Sequence, residues 1–245
     1  MSKSSEASQS VKSRTYSGVP AEERTRIRRE RLIEAATEVF GRVGYAQATM
    51  RNICVEARLA ERYFYESFDS TKTIFETVCR AQIDQMIHRI GEALAQSPVM
   101  DKDFIESGVR AFLEFVREDP RRVQIVLIDG VWMDQMRARE GKSEIVGYGR
   151  VIRNLTQGFH PDLARQINVE MAASGLIGMA IHTAIDWARG DFAMTLEEVL
   201  KHNMYAWAGL GYWARNAHKG GHTKAAQAER RAWVRKAFNE GNEDG

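Results

Sequence analysis

The metal-ligating and nucleophilic side chains of this chain are few, and their spacing speaks against catalysis. His218 and His222 stand four apart, a spacing that can set two imidazoles on one helical face for a metal ion. Gly220 and Gly221 lie between them and oppose a helix, and no third ligand is evident. His182 and Asp186 share the spacing inside an apolar stretch, where a hydrogen-bonded pair in a core or interface is the ordinary reading. Cys54 and Cys79 sit within apolar helical patterns, as buried thiols in a reducing compartment do. No serine stands in an elbow motif and no glycine-rich loop can cradle phosphate, so no enzyme, cofactor or metal is expected. What remains is recognition chemistry. Two short helices joined by a tight turn, the second presenting Glu61, Arg62, Tyr63 and Tyr65, have the form of a helix-turn-helix. An α-helix fits the major groove, where its early residues reach base edges while neighbours hold phosphates.

The elements that must position these groups are helical nearly throughout. Four prolines and abundant Ala, Leu, Glu, Arg and Met favour helix, and no strand pattern or internal repeat is found. Residues 1–19, rich in Ser and Lys, read as a disordered arm; over residues 1–31 the charge is locally +4, which suits a phosphate backbone. Pro20 opens a first helix with the stripe Leu32, Ala36, Val39, Phe40 and Val43, and Gly44 ends it. Thr49 is the expected N-cap of a second helix carrying Met50, Ile53, Cys54 and Ala57. A third helix is predicted from about Ala60 to Phe68, and Asp69 or Ser70 caps a long fourth one reaching about Gln96. Asp101 or Asp103 caps a fifth, and Pro120 starts a run, Val123 to Met136, apolar enough on every side to be central. Further helices are predicted at about 142–158, 162–189 and 195–214, the last with a Thr195–Glu198 capping box. Residues 217–224 read as a loop and 225–238, with Trp233, as a final helix. The N-terminus lacks the apolar core of a signal peptide and no apolar stretch is long enough to span a bilayer, so the chain is expected to be cytoplasmic.

One ordered string is more specific than any helix pair. The stretch Arg31-Leu-Ile-Glu-Ala-Ala-Thr-Glu-Val-Phe-Gly-Arg-Val-Gly-Tyr45, then Thr49-Met-Arg-Asn-Ile53, then Tyr65-Glu-Ser-Phe68, closely resembles the DNA-binding domain of the TetR family of transcriptional regulators over residues 25–78. The resemblance implies an all-α protein: a three-helix head with the helix-turn-helix over 20–69, a ligand-binding and dimerisation bundle over 70–214, and a C-terminal extension over 215–245. It implies a ligand-responsive regulator, a repressor more readily than an activator. Such a protein binds double-stranded operator DNA as a homodimer and releases it when a small hydrophobic or aromatic effector enters the bundle. The alternative is a DNA-binding scaffold governed by a protein partner without such a ligand.

Carried over residue by residue, the resemblance assigns Thr49 to a phosphate through its hydroxyl and the helix N-terminus, and Arg51 to a base or phosphate. Glu61, Arg62 and Tyr63 open the recognition helix, and Tyr65 matches a phosphate-contacting tyrosine. The chain departs from the family in the turn, where Arg58 and Ala60 stand in place of the usual Gly and Ser. The recognition helix thereby loses a cap worth about 0.5–2 kcal/mol, and Arg58 must turn without glycine's freedom unless it serves as another phosphate contact. Lys72 stands one residue beyond the usual lysine. Glu66 replaces a frequent histidine and would repel phosphate unless it meets cytosine N4 or an Arg. In the bundle the resemblance makes Met86, Phe112, Trp132, Met133, Met136, Tyr148, Met179 and His182 candidates for the effector pocket, with Trp187 nearby and Asp129 and Asp134 as a polar end. The smooth surfaces at Gly175 and Gly178, and at Trp207 and Leu210, are assigned to a four-helix dimer interface.

Overall fold

The computed structural model describes residues 20–96, 102–133 and 169–216, and among them there is helix and turn but no strand. Seven α-helices are seen: α1 (Ala21–Val43), α2 (Met50–Ala57), α3 (Glu61–Tyr65), α4 (Thr71–Ala95), α5 (Lys102–Glu118), α6 (Val169–Arg189) and α7 (Leu196–Asn216). A 3₁₀ turn (Tyr45–Gln47) follows α1, and Val123–Gly130 winds as a π-helix within a helical run. The expected arm at 1–19, the helix at 142–158, the loop and helix beyond 216, and Asp134, Met136, Tyr148, His218 and His222 lie outside the described residues.

Local chemistry explains the boundaries of the head. α1 ends where Gly44 adopts φ +75°, a left-handed value that a side chain would strain, and its N–H closes on the Phe40 carbonyl. Thr49 caps α2 as expected: its hydroxyl accepts from Asn52 N–H at 3.1 Å, and Asn52 Oδ1 accepts in return from Thr49 N–H at 3.2 Å. Arg58 then turns the chain with φ 53° and ψ 44°, a conformation that costs a non-glycine residue about 1–2 kcal/mol. Arg58 N–H and Leu59 N–H close the last turn on the carbonyls of Val55 and Cys54. Ala60 gives α3 no side-chain cap, and α3 is shorter than predicted, ending at Tyr65 in a turn at Glu66 and Ser67. Of the two capping candidates for α4 it is Ser70 that accepts, from Thr73 N–H at 3.1 Å. α5 already begins at Lys102, so Asp103 lies inside its first turn. Thr195 and Glu198 form the expected capping box on α7.

The first four helices meet on one apolar centre. Leu32, Ala36, Val39 and Phe40 of α1 are buried with Ile53 and Cys54 of α2, Phe64, Phe68, and Ile74, Phe75 and Val78 of α4. The rings of Phe40 and Phe75 meet edge-on at 5.0 Å, and each such buried ring contributes about 1.5–3 kcal/mol through desolvation. Val43, expected in the α1 stripe, is 43% exposed, since it occupies the last turn, beyond the reach of this core. The π segment buries Val123, Ile125, Val126 and Leu127, as its apolar composition required. Gly130 has no room for a side chain: a Cβ there would lie 2.9 Å from Cys79 Sγ on α4.

Candidate nucleic-acid interface and effector cavity

Two short helices and the start of a long one carry every residue singled out for DNA. Thr49, Arg51, Arg58, Glu61, Arg62 and Lys72 are exposed, and Tyr65 keeps 61% of its surface open despite an edge contact with the buried Phe64 ring. The opposite faces of α2 and α3 are anchored by Ile53, Cys54 and Phe64, so the outward direction of these side chains is a consequence of packing. Among the described residues no carboxylate pairs with Arg51, Arg58 or Lys72, whereas Arg42 is taken up by Glu56 at 3.1 Å and Arg26 by Glu23 and Glu30. Tyr63 is half-buried, and Arg62 donates to its hydroxyl at 2.7 Å. That bond holds the Arg62 guanidinium even further above its ordinary pKa than neighbouring charge alone would. Glu66, the carboxylate that threatened repulsion, accepts from Arg28 at 3.0 Å; of the alternatives open in the sequence, it meets an arginine.

The second feature lies among α4, α5, α6 and α7. A cavity of about 190 Å³ is lined by Met86, Ile87, Ile90, Gly91 and Leu94 of α4, Phe104, Ile105, Gly108, Val109 and Phe112 of α5, Leu176, Ile177, Ala180 and Ile181 of α6, and Trp207 of α7. Among the described residues no charged side chain takes part, so this lining suits an aliphatic or aromatic guest better than an ion. Its glycines make the space: a Cβ at Gly91 would meet nothing within 4 Å, and one at Gly108 would sit 3.0 Å from Leu94 Cδ2.

Of the residues expected at the effector site, Met86 and Phe112 line this cavity and the other described ones do not. Trp132 is 55% exposed, Met133 and Trp187 are buried in the core, and Met179 is half-buried away from the cavity. His182, expected in an apolar setting, is exposed and pairs with Asp186 across 3.3 Å on the helix surface. Asp129 is not a polar end of the pocket; its Oδ2 accepts from Tyr45 N–H at 2.8 Å and so faces the head. Trp207, expected at a dimer interface, forms part of the cavity wall, while Gly175 and Gly178 are exposed with open space above them. The side chain of Leu210 lies outside the described residues. The aliphatic wall of α4 and α5 was missed, although Ile87, Ile90, Gly91 and Leu94 follow helical spacing and include the glycine that opens the space.

With this geometry in place, comparison with known proteins is direct. Residues 32–78 match the family described as bacterial regulatory proteins, tetR family. The HTH-type transcriptional activator FasR of Mycolicibacterium smegmatis is 23% identical over 189 residues, spanning 76% of this chain and 84% of that protein. Among solved structures, the fatty acid degradation regulator FadR from Bacillus halodurans superposes with a TM-score of 0.61 at 14% identity, over 73% of this chain and 93% of that one. The transcriptional regulator FadR from Bacillus subtilis, solved in complex with stearoyl-CoA, gives 0.59 at 17% identity, over 72% and 95%. Residues 32–78 thus match the DNA-binding domain of the tetR family, and the described helices share the fold of the FadR structures.

Proposed function

We propose that the protein is a homodimeric repressor that holds operator DNA through Thr49, Arg51, Arg58, Glu61, Arg62, Tyr63, Tyr65 and Lys72, and that a long-chain acyl effector in the cavity releases it. The observation that carries this reading is the cavity, apolar in its described lining, one wall of which, α4, is also part of the head. Ile74, Phe75 and Val78 fix the first turns of α4 among α1 to α3, and Met86 to Leu94 line the cavity farther along. A guest that parts α4 from α5 therefore moves the base of the recognition helix. Such a guest releases DNA only to the extent that it binds the splayed state more tightly than the DNA-bound one. At about 190 Å³ the cavity is smaller than the roughly 300–1,000 Å³ usual for ligand sites, which favours a slender chain or a guest that opens the walls. The stearoyl-CoA of the Bacillus subtilis relative has a tail of that chemistry. The exposed faces of α6 and α7, with Gly175 and Gly178 on one and Tyr205 on the other, supply the two-fold four-helix contact that sets recognition helices about 34–36 Å apart.

The test combines DNA and ligand. A duplex selected from a random pool by the full chain is titrated in a gel-shift assay with and without stearoyl-CoA. Binding weakened by the acyl-CoA, and weakened by Arg51→Ala and Tyr65→Phe while the dimer persists by light scattering, is the expected result. Unchanged binding in both variants removes the site assignment, and indifference to acyl-CoA removes the effector. A second reading, an activator, is favoured by the mycobacterial relative, a transcriptional activator; run-off transcription from the bound promoter separates the two by the sign of the change.

A further inference from the structure

We infer that Arg28 of α1 is a positioning residue for sequence readout: it clamps the Tyr63 ring and cancels Glu66, so that the Arg62–Tyr63 pair meets the bases in one fixed attitude. The inference rests on the DNA-facing reading of α2 and α3 given above.

α3 is five residues long, far below the roughly 12–15 at which a helix in water begins to hold itself, so the aim of its side chains must come from elsewhere. Arg28 supplies it from α1. Its Nη2 donates to Thr25 Oγ1 at 2.9 Å and to Glu66 Oε2 at 3.0 Å, and its guanidinium carbon lies 4.5 Å from the centre of the Tyr63 ring. The Arg62 guanidinium stands 4.7 Å from the same centre while bonded to the Tyr63 hydroxyl. Two cations therefore share one ring: one committed to a carboxylate, the other free of any ion pair among the described residues. Stacking on a planar guanidinium restricts the ring, and the ring in turn restricts Arg62, whose fork has to reach a base within hydrogen-bond tolerance.

The charge bookkeeping separates this role from a phosphate contact. Arg28 is the shielded member of its pair, with 23% of its side chain exposed against 43% for Glu66. Its charge is spent on Glu66, which would otherwise set a negative group beside the DNA backbone. A residue used this way should govern how well one sequence is preferred over another, not how many counterions DNA binding displaces.

The test uses the full chain, a duplex it selects from a random pool, and a scrambled duplex of the same composition. Arg28→Met should lower the ratio of selected to scrambled affinity about tenfold, the discrimination lost when a base contact is misaimed. In a Glu66→Gln background, where no carboxylate is uncovered, Arg28→Met should leave the salt dependence and the scrambled affinity as they are in Glu66→Gln alone. In a Tyr63→Leu background the same Arg28→Met change should lower the selected-to-scrambled ratio no further. With 3-fluorotyrosine incorporated and no DNA present, the Tyr63 signal should move on Arg28→Met while that of Tyr205 stays. An equal loss on both duplexes, a salt slope reduced by about 0.9 in the Glu66→Gln background, or an undiminished fall of the ratio in the Tyr63→Leu background overturns the inference and makes Arg28 an ordinary phosphate contact or a scaffold residue. A stationary Tyr63 signal with normal selection by the wild type faults the clamp alone. A wild type that selects no sequence faults the regulator reading, and this one with it, whatever the fluorine signal does.

Discussion

Asp129→Ala is the sharpest test of how the head is joined to the rest. The end of α1 lies close against the helical run that starts at Arg121: a Cβ at Gly41 would come within 2.6 Å of Arg121 Cβ, and one at Gly44 within 3.0 Å of Gln124 Nε2. Into this seam Asp129 sends a carboxylate that accepts from Tyr45 N–H at 2.8 Å, just where the backbone leaves α1. Around it Arg121 bonds Asp119 at 2.8 Å and reaches Glu38 on α1. A hydrogen bond to an ionised acceptor contributes about 1.5–3 kcal/mol net, and a half-buried one belongs at the lower end. Removing the carboxylate also strands a half-buried amide, so Asp129→Ala should cost about 1–2 kcal/mol, or about 3–6 °C in melting temperature for a chain of this size. Asp129→Asn keeps an oxygen at the acceptor position and should lose about half as much. Urea unfolding at one fixed protein concentration measures the difference, and the slope against urea should not change. Operator titrations with and without acyl-CoA should show a smaller effect of the ligand in Asp129→Ala, because a looser seam transmits less. A loss below about 0.5 kcal/mol, or an Asn variant as damaged as the Ala one, would refute the argument that this carboxylate holds the seam.

Other expectations follow from single contacts. Thr49→Ala removes the cap of α2 and should cost about 1 kcal/mol by urea unfolding, with Thr49→Ser close to the wild type. Gly91→Leu places a branched side chain where the cavity wall is open; it should abolish the thermal shift that the proposed function expects of stearoyl-CoA and leave DNA binding intact. Arg121 holds the Asp119 carboxyl below the usual carboxylate range, so this pair stabilises the fold above that range and its contribution is lost as pH falls through the lowered value. Asp119→Asn should therefore reduce the fall in urea midpoint between about pH 5 and pH 2.5, and leave unchanged the fall caused by other carboxylates.

The head was legible because its signals are local. A capping threonine, a glycine after the last turn and apolar residues three and four apart state where α1 and α2 begin, end and face, and the string from Arg31 to Phe68 adds a specific resemblance. Even the departures were readable as physics: Arg58 had to turn without glycine's freedom and does so at φ 53°, and Glu66 needed a cationic partner and has Arg28. The seam and the cavity were not legible. Asp129 sits in an apolar run, and no periodicity says that its carboxylate reaches an amide 84 positions earlier. The cavity is walled by four helices that meet only in the fold, so each helix's pattern names an apolar face without naming its neighbour. Weighting Met and aromatic residues selected Met86 and Phe112, which line the space, but also Trp132 and Met179, which do not, and it passed over the aliphatic residues and glycines that make up most of the wall.

The proposed function requires the cavity and the DNA-facing surface to communicate without sharing a residue, and the arrangement of the helices permits it. α4 leaves the head at Ser70 and lines the cavity from Met86 onward, so a displacement there would reach the recognition helix as a tilt about the anchored Ile74 to Val78. A tilt alone would be absorbed if the head could rock freely on the bundle. It cannot, because Gly130 packs against Cys79 of α4 while Asp129, its neighbour, holds Tyr45 at the end of α1. The π segment therefore touches both helices that enter the head, and any shift of α4 must either drag α1 with it or break the Asp129 contact. On the proposed dimeric reading, a head carried as one body keeps the α2–α3 surface intact while changing its distance from the partner's, so that a symmetric pair would lose a duplex without unfolding.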